Sequence, residues 1–259
     1  MDRHGQPLWD AAQYARFRSE RARPFDDLVT RIDRESVRTI ADIGCGDGAL
    51  TRSLLDRWPD AEIWGIDSSK EMLARAPQAT GLHFVHADLR QWRPPVPLDL
   101  LISNAVLHWV ADHAGVLRAF SEWLAPGGTL AIQMPNNRAE TAYRMAGALA
   151  DEPAWRERLR GVAWDVLVET PRFYVEQLAA LGFQIDLWET IYYHRLARAS
   201  EIVEWIKGTA LRPILTALGD VEGARFLAEL SARVAPEYPE GPQGVLFPFR
   251  RLFFIAALR

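Results

Sequence analysis

Thr39-Ile-Ala-Asp42-Ile-Gly44-Cys45-Gly46-Asp47-Gly48 restricts this chain more than any other stretch. Ile40 and Ile43, with Val37 before them, have strand character. The glycines let the backbone turn sharply and let a ligand come close to it. Thr51-Arg-Ser-Leu54-Leu55-Asp-Arg-Trp58 follows with the apolar spacing of a helix. A strand, a glycine turn and a helix in that order form the nucleotide-binding corner of an open α/β sheet.

The same pattern recurs downstream. Glu62 to Asp67 reads as a second strand ending in an acid, with Ser68 as N-cap of a helix from Lys70 to Ala76 that Pro77 stops. Leu82 to Asp88 reads as a third strand ending in an acid. Leu98 to Asn104 is a continuous apolar strand, as expected in the middle of a parallel sheet. His113–Leu124 is helical, Pro126-Gly127-Gly128 a turn, and Thr129–Met134 the fifth strand. This alternation predicts a doubly wound parallel sheet with right-handed crossovers. The second half differs. Residues 136–168 read as largely helical, Phe173–Leu181 as an amphipathic helix ended by Gly182, and Phe183–His194 as a long strand. Residues 199–235 return to helix, and Arg251–Ala256 is a final strand, so two late strands bracket a helical insertion. Ahead of the sheet, residues 8–35 read as two helical pieces broken at Pro24. They are either a solvated edge helix or a lid whose Tyr14 and Arg21 look into a substrate pocket.

Composition narrows the function classes. A net charge of -4 and a pI of about 5.9 argue against a general nucleic-acid binder, which needs a basic face. The single cysteine, Cys45, leaves no internal disulfide and fits a reducing cytosol. Residues 1–7 lack the apolar segment of a signal peptide, and Leu252–Leu258 is too short to span a bilayer. A soluble, cytoplasmic protein is expected, a monomer or small homo-oligomer with no nucleic-acid or membrane partner. The histidines show no metal-ligand spacing, so no metal site is expected.

Which nucleotide binds is decided by acids. Gly44, Gly46 and Ala49 loosely satisfy a dinucleotide fingerprint, a weak signal on its own. Asp42, two residues before the first glycine, would repel a pyrophosphate and suit a cationic amino group. Asp42, Asp67 and Asp88 at three successive strand ends fit a ligand with an ammonium, ribose hydroxyls and an adenine amine but no phosphate. S-adenosylmethionine is such a ligand. Each acid also has a plain reading, as a turn or helix-capping residue.

From Val37 to about Met134 the chain resembles the class I S-adenosylmethionine-dependent methyltransferases, through Ala41–Gly48, Gly65-Ile66-Asp67, Ala87-Asp88 and Pro126-Gly127-Gly128. The resemblance implies a Rossmann-like seven-stranded, mostly parallel α/β sheet flanked by helices, its last strand antiparallel. It implies cofactor contacts from Asp42, Gly44, Cys45, Gly46, Asp67, Ser68, Asp88, Leu89, Asn104, Ala105 and Trp109, with Asp67 on the ribose hydroxyls and Asp88 on the adenine amine.

The whole chain is further similar to the trans-aconitate 2-methyltransferase family. The matching pieces are Tyr14 with Glu20–Pro24, Asn104–Trp109, Gln133–Asn137, Tyr192-Tyr193-His194, Ile202–Trp205, Gly208–Pro213 and Arg251-Leu252-Phe253. Asp47, Ala49, Asn136, Ala210 and Arg250 depart from the family's usual residues. This likeness implies esterification of one carboxylate of trans-aconitate, with Tyr14, Arg21, Tyr192, His194, Trp205, Arg212 and Arg251 around the acceptor and no general base. The alternative acceptors are a different carboxylate, a phenol or an amine. An NAD-dependent oxidoreductase and a non-catalytic cofactor binder are the rivals from other classes. The expected organisation is one domain over 1–259. Its core lies at about 25–135, 170–194 and 248–259, and a helical cap at about 8–23, 136–168 and 195–247.

Overall fold

The computed structural model describes residues 18–162 and 168–258. In chain order the elements begin with α1 (Arg18–Thr30), β1 (Thr39–Ile43), α2 (Ala49–Arg57), β2 (Glu62–Asp67) and α3 (Lys70–Leu73). Then come β3 (Leu82–His86), β4 (Leu98–Asn104), a 3₁₀ turn at Leu107–Trp109, α4 (His113–Trp123) and β5 (Leu124–Pro135). The remainder is α5 (Thr141–Ala150), α6 (Pro153–Arg156), α7 (Pro171–Ala180), β6 (Phe183–Leu196), α8 (Ser200–Lys207), α9 (Arg212–Val234) and β7 (Val245–Leu258). The strands form one sheet in the order β3-β2-β1-β4-β5-β7-β6, parallel except for the last strand, β7. The order reverses between β1 and β4, and the crevice outside the carboxyl ends of those strands is where open α/β sheets bind ligands.

Two compact units divide the chain. Unit 1 comprises Met1–Pro135, Leu167–Thr190 and Leu252–Arg259; unit 2 comprises Asn136–Val166 and Ile191–Arg251. The central strands of unit 1 are dry because they are covered on both faces: Ile40, Ile63, Leu100, Leu101, Ile102 and Ile132 are fully buried. Each such side chain contributes about 1.5–3 kcal/mol on leaving water. The strand ends are level, with Ile43 opposite both Ile66 and Ser103, and Ser103 opposite Ile132. Gly44, Asp67, Asn104 and Gln133, one residue further on, therefore lie along one edge of the sheet.

Several sequence expectations are corrected. α1 runs through Pro24 instead of breaking there. Pro24 and Phe25 are buried and Leu28 is fully buried, which offsets the roughly 3 kcal/mol that an interior proline costs a helix. α3 ends at Leu73, and its cap is Ser69, whose Oγ accepts the Met72 N–H at 3.3 Å; Ser68 is exposed. β3 stops at His86, so Asp88 sits in the turn beyond it. β5 starts at Leu124, because pairing jumps from Leu98–Leu124 to Leu100–Thr129 and loops out Pro126-Gly127-Gly128. β7 starts at Val245, since Val245, Phe247, Phe249 and Arg251 alternate inward as a strand requires.

A buried polar chain braces the connection after β4. His113 Nε2 donates to the Leu107 carbonyl at 2.7 Å, while Nδ1 faces the Tyr174 hydroxyl at 2.7 Å. That hydroxyl also accepts the Glu169 N–H at 3.1 Å. His113→Phe removes two buried hydrogen bonds, each worth about 0.5–1.5 kcal/mol, while the Leu107 carbonyl keeps the Val110 N–H and the Tyr174 hydroxyl keeps the Glu169 N–H. We expect a melting temperature lower by about 2–10 °C, as a protein of this size loses roughly 2–4 °C per kcal/mol. An unchanged melting curve would remove the brace from the account.

Unit 2 has its own core. Trp155 meets Phe226 edge-on at 5.3 Å, with Leu149, Ile214, Leu230 and Val234 fully or nearly fully buried around them. α9 bends at Gly219, whose φ of 71° and ψ of -179° are open to glycine alone. No helix among the described residues is long and apolar enough to cross a membrane.

Candidate active site

The edge of unit 1 carries the glycine turn. Gly44, Gly46 and Gly48 have φ of 76°, 59° and 71°, a left-handed conformation that side chains disfavour. Space is also closed to a side chain: a Cβ on Gly44 would lie 2.1 Å from Val106 Cγ2, and one on Gly48 2.5 Å from Phe84. The turn is tied to β2, because the Gly44 and Cys45 N–H groups both donate to the Ile66 carbonyl, at 2.7 and 3.1 Å.

Asp67, at the end of β2, clamps the turn. Its Oδ2 accepts the Gly46 N–H at 2.9 Å and its Oδ1 accepts the Ser69 N–H at 2.7 Å. Half-exposed, the carboxylate keeps lone pairs for a ligand's hydroxyls. Asp88 is held differently. Arg90 donates to both its oxygens, and that guanidinium keeps the carboxyl below its ordinary pKa. A ligand donor reaching Asp88 has to share it with Arg90.

Asp42 is 3% exposed and accepts the Thr51 hydroxyl at 2.6 Å. Burial pushes its pKa up to about 6, against the pull of the Thr51 hydrogen bond and with help from the charge of Asp67. Unfolded, this carboxyl releases its proton near 3.8. Between those values the folded state binds more protons, so stability falls as pH rises, and above about pH 6 the full cost of about 3 kcal/mol stands. Asp42→Asn should raise the melting temperature at pH 8, and the gain should vanish near pH 4; equal melting temperatures at pH 8 would contradict the burial argument. Burial, then Asp42 and Asp67, also push the Cys45 thiol well up, so it is no nucleophile.

At the end of β4, Asn104 Oδ1 is buried with no hydrogen-bond partner. Ala105 follows with a φ of 58°, rare for a residue with a Cβ, held there by its N–H to the Gln133 carbonyl at 2.8 Å. Trp109 is 41% exposed, its ring 4.6 Å from that of His108.

Unit 2 gathers a second set. Tyr192, His194, Trp205 and Arg251 are buried and Arg212 is half-buried. His194 stacks on Trp205 at 4.6 Å, and both rings meet Phe249. The Arg251 guanidinium lies 4.9 Å from the centre of the Phe249 ring. Its charge reaches Tyr143, whose hydroxyl is hydrogen-bonded to Thr209; burial raises the Tyr143 pKa, and the charge of Glu140 adds to that. Among the described residues no group of three or more His, Cys, Asp or Glu is placed to hold a metal ion.

A methyltransferase-domain family model matches residues 14–217. The trans-aconitate 2-methyltransferase of Streptomyces avermitilis is 45% identical over 96% of this chain and 97% of its own length. The chain belongs to the trans-aconitate 2-methyltransferase family. The Streptomyces coelicolor member is 46% identical, over 96% of this chain and 86% of that one. Among solved structures, Haemonchus contortus phosphoethanolamine N-methyltransferase 2, in complex with S-adenosyl-L-methionine, superposes with a TM-score of 0.54. At 16% identity, over 91% of this chain and 52% of that one, it shares the fold.

In this family member, the structure brings Asp42, Gly44, Cys45, Gly46, Asp67, Asn104 and Ala105 to one sheet edge. Asp88 and Leu89 lie in the turn past β3, and Trp109 in the 3₁₀ turn past β4. Tyr14 and the Arg21 side chain lie outside the described residues. Sequence reasoning singled out neither Thr51 nor Tyr143 and took Asn137 only as part of the Gln133–Asn137 match; Thr51 was legible, standing one helical turn into α2 after the glycines.

Proposed function

We propose that the protein transfers a methyl group from S-adenosylmethionine to one carboxylate of trans-aconitate, giving a monomethyl ester and S-adenosylhomocysteine. The observation that carries this reading is where the glycine turn spends its N–H. Gly46 donates to the Asp67 carboxylate, so a turn that would cradle a pyrophosphate is already occupied by a negative charge. A dinucleotide is repelled there; a phosphate-free nucleoside with a cationic amino acid is accommodated. The residues fit that cofactor on two further counts. The Asn104 oxygen awaits a donor, and Asp42 is a buried acid whose hydrogen bond comes from the neutral Thr51 hydroxyl.

When bound, the cofactor supplies an electrophilic methyl on a sulfonium, which departs as a neutral thioether. The chain's work is binding and alignment. Asp67 accepts the ribose hydroxyls, Asp88 and Leu89 meet the adenine, and Gly44, Cys45, Gly46 and Asp42 line the amino-acid end. Ser68, Asn104, Ala105 and Trp109 complete the set. In unit 2, Arg212 and Arg251 hold the carboxylates that are not methylated, by charge-assisted hydrogen bonds. Tyr192, His194 and Trp205 wall them, with Tyr14 and Arg21 as further hydrogen-bond partners. The attacking oxygen is already ionised, so no residue needs to remove a proton. Holding it in line supplies the rate, worth roughly 7–11 kcal/mol in the best intramolecular cases. We place the enzyme in the cytoplasm, as a monomer or small homo-oligomer.

Mass spectrometry of reactions with a panel of di- and tricarboxylates, phenols and amines tests the reading. Trans-aconitate should gain one methyl group and outcompete the others. Methyl transfer confined to a phenol or an amine would overturn the acceptor and leave the cofactor standing.

A further inference from the structure

Asn137, the second residue of unit 2, lies two positions after β5 and is 1% exposed. Its amide is oriented by one contact, Oδ1 accepting the Arg250 N–H at 2.7 Å. Turning the amide over would set two donors against each other, so chemistry decides which atom is which. The neighbouring backbone is tied to the same residue, since the Asn136 N–H donates to the Arg250 carbonyl at 2.9 Å. Nδ2 is therefore held in one direction, and it is buried with no hydrogen-bond partner. The acid one turn on does not serve it: Glu140 accepts from the Tyr238 hydroxyl and from the Ala142 N–H.

An orphaned buried donor calls for an acceptor from outside the chain. Its setting specifies which kind. Arg251, the next residue of β7 after Arg250, is a buried cation, and its charge reaches the Tyr143 hydroxyl and so the pair with Thr209. The Glu140 carboxyl acts on the same Tyr143 hydroxyl, so the charge here is mixed, and what selects an oxygen acceptor is the Nδ2 donor, with Arg251 favouring an anionic one. We propose that Asn137 Nδ2 is a specificity-determining donor to a carboxylate oxygen of the acceptor. This rests on the acceptor reading given above. A site with a fixed donor of this kind rejects molecules that lack the matching oxygen, because the donor is then left bare again.

The test compares the wild-type enzyme with Asn137→Asp and Asn137→Ser. The aspartate keeps an oxygen for the Arg250 N–H but turns the donor into a second anionic oxygen; the serine removes it. Titration calorimetry with trans-aconitate, in the presence of S-adenosylhomocysteine, should find binding weaker by about 10-fold for the serine and about 100-fold for the aspartate. KM for trans-aconitate should rise in step, with kcat within about threefold and affinity for S-adenosylhomocysteine within about twofold, the split expected of lost ground-state binding. The serine variant should melt within a few degrees of wild type, and the aspartate, which buries a charge, should melt lower. Acceptor affinity within twofold of wild type in both variants would overturn the proposal, as would a parallel loss of cofactor affinity. If the wild type binds tricarboxylates but esterifies none, the acceptor reading fails while the affinities still decide Asn137. If it binds none, both fall.

Discussion

Asp67→Ala should cost the enzyme between two and four orders of magnitude in S-adenosylmethionine affinity. The carboxylate holds the Gly46 and Ser69 N–H groups at 2.9 and 2.7 Å and keeps lone pairs for the ribose. Hydrogen bonds to a charged group are worth about 1.5–3 kcal/mol each, so losing two to the ribose amounts to 3–6 kcal/mol. The variant also loosens the glycine turn at Gly46, although Gly44 and Cys45 stay tied to the Ile66 carbonyl, and this adds an ordering cost to whatever binding survives. Asp67→Asn separates the contributions: it can still accept, but not from two N–H groups and two hydroxyls with a full charge. Its affinity should fall between wild type and alanine. Calorimetry decides the matter, and a Kd within threefold of wild type for the alanine variant would refute the assignment of Asp67 to the ribose.

Arg251→Met should lower kcat/KM for trans-aconitate by two to nearly four orders of magnitude while cofactor affinity stays within twofold. Arg251 is 5% exposed and lies over the Phe249 ring, so its charge is little screened by water. Removing one partner of a buried ion pair costs about 3–5 kcal/mol, because the other charge is left uncompensated. Arg251→Lys should recover little, since a lysine cannot present two parallel donors to a carboxylate. Methionine keeps an apolar stem against the Phe249 ring, so the melting temperature should stay near that of the wild type. Steady-state kinetics, with melting curves alongside, test both halves. A variant that melts far below wild type would make Arg251 structural instead.

The half of the chain that reads well in sequence is the half with dry strands. β2 and β4 were legible to the residue, at Glu62–Asp67 and Leu98–Asn104, because interior parallel strands are continuous apolar runs closed by a polar residue. Where burial on one side competes with local chemistry, the reading slipped. Pro24 looks like a break until the packing of Phe25 and Leu28 is known. Pro248 hid the start of β7, although its neighbours Phe247 and Phe249 alternate inward. The sheet edge proposed for the cofactor was legible because its residues follow strand ends at short range. Asn137 and Tyr143 were not, since a lone polar residue acquires its meaning only from what the chain folds against it more than sixty positions later.

Asp42 adds a consequence that concerns heat and buffer. A carboxyl that holds its proton up to about pH 6 in the free protein must give it up when an ammonium group settles beside it. Cofactor uptake near pH 6 is then also proton ejection, and the proton lands on the buffer. The enthalpy that a calorimeter records at pH 6 should shift with the ionisation heat of the buffer chosen, and at pH 8 it should not. S-adenosylhomocysteine keeps the same ammonium, so reactant and product should eject the same fraction of a proton, and turnover itself should leave the buffer unmoved by Asp42.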